Sequence, residues 1–215
     1  MIRAYDESYL PDAQTALADY FDYVINACGI APNLAASLFT QSEWGRQFEF
    51  GNPSVVAGMS GVELAQAVLA DSFLIVDYPS PLHAEGRSPE FWVGWALAAF
   101  QWRYACALKD VLRRIPLSEM LGWYPLYHEM DQSHFDDALR ELLEERRGDT
   151  NLKRIREARG LSQRGLAERA QVGLRSIQMY EQRVNDIDKA QGKTLYRLAR
   201  VLGCSIDDLL ENPNS

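Results

Sequence analysis

Cysteine is scarce in this 215-residue chain, and Cys28, Cys106 and Cys204 are odd in number, far apart and without C-x-x-C spacing. That pattern excludes a disulfide framework and a thiolate zinc site, and leaves reduced, buried thiols in a cytoplasmic protein as the expectation. Histidine is equally scarce: His83, His128 and His134 form no zinc motif. His128 beside Glu129, with His134 six residues on, is not H-E-x-x-H and has no third ligand, so a metal or acid–base role is not expected. Long apolar runs are missing too. The longest, residues 91–100, has ten residues and is followed by Gln101 and Arg103, too short to span a bilayer, so no membrane is expected. The opening MIRAYDESYL lacks the basic-then-apolar pattern of a signal peptide. No segment of useful length alternates with the period of a strand, so the chain reads all-α. No phosphate-cradling glycine loop, nucleophile–base pair or metal set is visible, so no enzyme, catalytic residue, metal or cofactor is expected.

What is present is ordinary in bulk and uneven in distribution. The apolar fraction of 47% and charged fraction of 24% are those of a globular chain, long enough for one large or two small cores. The net charge of -8 is split. Residues 1–148 hold ten Lys/Arg against twenty-one Asp/Glu, a net -11, whereas residues 149–215 hold twelve against nine, a net +3. Phosphate would repel the first part and attract the second. The expected organisation is an acidic helical domain over 1–148, with a protein-partner, dimer or effector role, and a nucleic-acid-facing domain over 149–215. Residues 146–150 would link them.

In the first part, Pro11 and Asp12 open a helix to about Cys28, closed by Gly29. A second helix is expected over 31–42. Ser60 and Glu63 form a capping box with Met59 and Leu64 as its staple, and that helix runs on to about residue 76. Residues 77–88, DYPSPLHAEGRS, are the main loop. Ser88 then caps one long helix, SPEFWVGWALAAFQWRYACALKDVLRRI, with Pro89 in its first turn. It is apolar nearly all round, which places it at the centre of the core. Trp92, Trp95, Ala99, Trp102 and Cys106 form one stripe on it. Core packing is favoured over a ligand pocket, because no convergent polar set is evident beside the tryptophans. A last helix covers 133–145.

In the second part, LSQRGLAERAQVGLRSIQMYEQR over residues 161–183 reads as two short helices joined by a tight turn. Leu161, Leu166, Ala167, Ala170, Val172, Ile177 and Tyr180 face inward, Ser162 caps the first helix, and the second starts near Gly173. Two such helices, the second with its outer face free, describe a helix-turn-helix. Neighbours must cover the inner face: a helix capped by Asp149 or Thr150 and ending at Gly160, one over 191–202 stopped by Gly203, and a final one capped by Ser205 and Asp208. The expected fold is five helices in about 60 residues, a size that can fold alone.

The runs LKRIREARGLSQRGLA, SIQMYE and LARVLGCSIDDLL resemble the lambda-repressor/Cro-like helix-turn-helix family, in register over 151–210. The resemblance implies double-stranded DNA as partner. It places helix 173–182 in the major groove, with Leu174, Arg175, Ser176, Gln178 and Met179 reading bases and Ser162, Gln163, Gln182 and Arg183 on phosphates. Arg175 is the candidate for a bidentate guanine contact, worth about 1–3 kcal/mol of discrimination. Lys189 and Lys193 are weaker phosphate candidates. Gln171 stands where the family often has glycine and is expected to turn left-handed, at a cost of order 1 kcal/mol. Gly173 replaces the usual Ser or Thr cap, and Arg183 the glycine after the reading helix. Elsewhere, GNPSVVAGMSGVELA, SPEFWVGWALAAFQW, PLYHEMD and QMYEQRVNDIDKA resemble bacterial antitoxin-type regulators that pair such a helical domain with a C-terminal helix-turn-helix. Two functions follow. One is a sequence-specific transcriptional regulator, a homodimer on a palindrome. The other is an antitoxin whose acidic domain neutralises a protein partner while the helix-turn-helix autoregulates.

Overall fold

The computed structural model describes residues 3–72, 78–82 and 87–211. The described residues form helices and no strands, in two compact units, Met1–Arg146 and Arg147–Ser215. In the first unit the helices are α1 (Leu10–Asp22), α2 (Pro32–Gln41), α3 (Glu43–Glu49), α4 (Pro53–Val56), α5 (Gly61–Ser72), α6 (Pro89–Tyr104), α7 (Leu108–Arg114), α8 (Leu117–Leu121), α9 (Tyr124–Tyr127) and α10 (Gln132–Glu145). The second unit holds α11 (Asn151–Ala158), α12 (Gln163–Ala170), α13 (Leu174–Glu181) and α14 (Gly192–Leu202).

The centre of the first unit is a helix pair, α1 against α6. Gly94 of α6 permits the close approach: a Cβ there would lie 2.5 Å from the Leu17 carbonyl oxygen and 2.7 Å from Ala18 Cα. Gly61 lets α5 close on the other side of α1, where a Cβ would meet the Ala16 carbonyl oxygen at 2.5 Å. Side chains at both positions are excluded by α1's backbone, which does not yield. Tyr20, Phe21, Phe39 and Phe48 fill the space beneath, with Tyr20 and Phe39 rings 5.0 Å apart. The buried Tyr20 hydroxyl donates to the Ala35 carbonyl at 3.0 Å, which satisfies it.

The expected caps at Ser60, Ser88 and Thr150 are in place: Ser60 and Glu63 bond each other's amides, Ser88 accepts from Phe91 N, and Thr150 accepts from Lys153 N. Three boundaries differ from expectation. The first helix ends as α at Asp22 and finishes in a π turn, Tyr23–Ala27, closed by Cys28 N–H to the Tyr23 carbonyl at 3.0 Å. The single long helix expected from Ser88 breaks at Ala105, which is left-handed (φ 46°), and restarts as α7. A partner from another helix causes the break. The Glu49 carboxylate of α3 accepts from Leu108 N at 2.7 Å, capping α7, while Gln101 donates to the Glu49 carbonyl at 3.0 Å. The expected final helix at 205–210 is a turn, although its capping box is intact: Asp208 accepts from Ser205 N at 2.8 Å. The expected continuation of α5 to residue 76 and much of the 77–88 loop, His83 included, lie outside the described residues.

The tryptophan stripe divides. Trp102 is buried, with Nε1 donating to the Tyr5 carbonyl at 2.9 Å. Trp92 and Trp95 are half-buried: they pack against the core, as expected, and also line a cavity with Arg87, His128, Asp131 and Gln132, a polar set from distant sequence.

Candidate nucleic-acid interface

The second unit is built around Leu152, Leu166, Ile177, Leu198, Leu202 and Leu209, all at most 2% exposed. Ser162 caps α12 by accepting from Gly165 N at 2.9 Å. Gln171 then turns the chain with φ 52°, and the Arg197 guanidinium of α14 donates to its carbonyl at 3.2 Å, a tertiary bond that offsets the left-handed strain. Gly173 caps α13 without a side-chain bond. After α13 the chain turns again at Arg183, φ 55°, where Val184 N and Asn185 N both bond the Met179 carbonyl, at 2.9 and 3.1 Å.

A charged pair inside this unit fixes α13. Arg156 of α11 and Glu181 of α13 have side chains 7% and 2% exposed, and bond through Nε–Oε1 at 2.6 Å and Nη2–Oε2 at 2.9 Å. Arg156 Nη1 also donates to the Leu161 carbonyl at 2.7 Å, which ties the entry of α12 to the same group. The bond from Glu181 holds the Arg156 guanidinium pKa above its ordinary value despite burial. Gln163 donates to Glu181 Oε2 at 2.8 Å, so the opening residue of α12 is oriented from α13. Sequence reading missed both charges. The available signal was positional: Arg156 is four residues after Leu152 and Glu181 four after Ile177, both on the inward period.

The expected DNA-facing residues fall into distinct environments. Leu174 and Arg175, in the first turn of α13, are exposed, and Arg175 makes no hydrogen bond or ion pair among the described residues. Ser176, Gln178 and Met179 are half-buried. At the mouth of α12, Ser162 is exposed, while Gln163 is half-buried with one amide hydrogen committed to Glu181. Gln182 is exposed. Arg183 is held, with Nε and Nη2 on Glu211 Oε2 at 3.2 and 2.9 Å. Glu211 also accepts from Asn151 N through Oε1 at 2.7 Å, so the end of the described chain closes onto α11. Lys189 is paired with Asp186 at 2.9 Å, and Lys193 is exposed in the first turn of α14. Arg175 therefore stands as an unspent cation on a helix held rigid from behind.

Residues 152–209 match the helix-turn-helix family model. Over those residues the second unit is a helix-turn-helix of the lambda-repressor/Cro-like kind, a domain type of DNA-binding regulators. No curated protein and no solved structure matches the chain. No helix among the described residues is long and apolar enough to cross a membrane, and no group of His, Cys, Asp and Glu among them is placed to hold a metal ion.

Proposed function

We propose that the chain is a sequence-specific transcriptional regulator that binds a palindromic operator as a homodimer, with α13 in the major groove. The observation that carries this is the exposed, unpaired Arg175 on the first turn of a helix pinned by the Arg156–Glu181 pair. Rigid presentation of a planar fork is what bidentate reading of guanine requires. One short helix touches few base pairs, so useful specificity calls for two copies about one helical turn apart. Leu174 and Met179 bring only apolar contact, suited to a thymine methyl. Ser162 and Gln163 contact phosphate at the N-terminus of α12, and Gln182 does so at the end of α13. Arg183 reaches phosphate on exchanging Glu211 for the DNA backbone. Selection of bound sequences from a random DNA pool by the full chain tests the reading. A recovered palindrome whose guanine preference disappears in Arg175→Ala supports it, and purely sequence-blind binding overturns it.

The charge split favours a second reading. In it, the -11 region over 1–148 masks a basic toxin, and the helix-turn-helix autoregulates the pair. A small co-transcribed reading frame, toxic alone and harmless with this chain, would support that assignment. A solitary gene would count against it.

A further inference from the structure

Between the first half of α6, α9 and the start of α10 lies a cavity of about 460 Å³. That size falls within the range of about 300–1,000 Å³ typical of small-molecule sites. Its walls are aromatic. Trp92, Trp95, Tyr124 and Tyr127 are all half-buried, and the Trp92 ring meets Tyr124 and Phe135 edge-on, at 5.7 and 5.4 Å between centroids. Such interlocked rings hold their places and accept a flat guest by stacking or edge contact.

The polar groups around the cavity are mostly unspent donors. Arg87 is exposed, lies 4.9 Å over the Phe91 ring and, although its charge acts on the Asp19 carboxylate, forms no close ion pair among the described residues. The indole N–H groups of Trp92 and Trp95 and the Tyr127 hydroxyl make no hydrogen bond among the described residues. The acceptors are partly used. The Asp131 carboxylate caps α10, accepting from Ser133 N at 2.9 Å. Gln132 turns its amide hydrogens to the Ala96 carbonyl at 3.1 Å and to Asp136 at 2.8 Å, leaving only its carbonyl. A guest that satisfies this set is flat, apolar over most of its surface, and anionic at one end.

We propose that the cavity binds a small planar aromatic carboxylate, with its ring among Trp92, Trp95 and Tyr124 and its carboxylate forked on the Arg87 guanidinium. Arginine–carboxylate pairing is bidentate and charge-assisted, which gives the site both orientation and selectivity. Exposed charges beyond about 8 Å are screened at physiological salt, so the anion to be avoided is Asp131 in the wall itself, and seating the guest's carboxylate on Arg87 is what must outweigh it. The site lies wholly within the first unit and does not depend on the DNA reading.

Calorimetry on the full-length protein without DNA tests the site, with naphthoate as probe and the alcohol and amine of the same ring as controls. Naphthoate should bind saturably and at least about tenfold more tightly than either control. Arg87→Ala, at an exposed position that leaves the fold intact, should weaken naphthoate by about tenfold and leave the alcohol unchanged. Trp95→Leu should weaken both. Preference for the amine, equal binding of naphthoate to the Arg87 variant, or no saturable binding of naphthoate would each overturn the proposal. All three results would leave the DNA-binding reading untouched.

Discussion

Arg156 and Glu181 carry opposite charges at positions where a hydrophobic period puts the inside of the domain, and burial makes them partners. Arg156→Ala would strand the Glu181 charge, at a cost of about 3–5 kcal/mol, whereas after Glu181→Ala the Arg156 guanidinium keeps Glu157 at 3.1 Å and should lose less. Urea denaturation of the C-terminal unit's transition measures it, and a loss below about 1 kcal/mol would refute the buried-pair account. Glu49 shows a different use of a partly buried charge. Burial, the largest influence, raises its pKa above the ordinary 4.5, although Leu108 N–H bonded to the carboxylate opposes that rise. Between the unfolded and the raised folded value, the folded state binds more protons, so this group's contribution to stability falls as pH rises through that window. Glutamine keeps an oxygen acceptor for Leu108 and cannot ionise. Glu49→Gln should therefore be more stable than the natural protein near neutral pH. The advantage should shrink as pH falls through that window toward 4.5, and denaturation curves along a pH series would read it. Residue type alone places charge on the surface, so the inward positions of Arg156 and Glu181 were the single sequence signal, and nothing in the sequence paired them or gave Glu49 its role.

The helices repeat that division between local and tertiary causes. The starts of α5, α6 and α11 were legible because Ser60, Ser88 and Thr150 cap through bonds that span three residues. The end of α6 was not. Residues 90–114 contain no proline and only one glycine, at 94, and a helical pattern continues across Ala105. Chain termination there depends on Glu49, 56 residues earlier, whose carboxylate caps the next helix. A substitution separates the two pictures by sign. In the left-handed conformation observed, Ala105→Gly should stabilise the protein by about 1 kcal/mol. In an uninterrupted helix the same change would cost about 1 kcal/mol. The melting temperature of that single variant distinguishes them. The segment 205–210 gives the complementary case: its capping box forms as written, yet the helix it would start does not follow, because Leu209 is drawn into the core and Glu211 onto Asn151 and Arg183.

Across the whole molecule, the uneven charge is the strongest message of composition. A +3 unit facing DNA should release counterions, so the logarithm of affinity should fall linearly with the logarithm of salt, by about 0.9 per phosphate contacted. Lys193→Ala should weaken binding uniformly across sequences and reduce that slope by about one, whereas Arg175→Ala should cost about 1–3 kcal/mol only at the preferred base. Fluorescence anisotropy over a salt series, on matched and scrambled duplexes, measures both. An equal loss on the two duplexes for Arg175→Ala would remove it from base reading.

The sequence by itself determined the all-helical class, the helix-turn-helix and its turn at Gln171, because helical period, capping chemistry and the resemblance of 151–210 all act over short distances along the chain. The tertiary structure alone decided which charges are inside, where α6 stops, that Arg183 rests on Glu211, and that Trp92 and Trp95 border a cavity while Trp102 is core. Each of these depends on a group brought from far along the chain, and local pattern carries no record of what will arrive beside a residue when the chain packs.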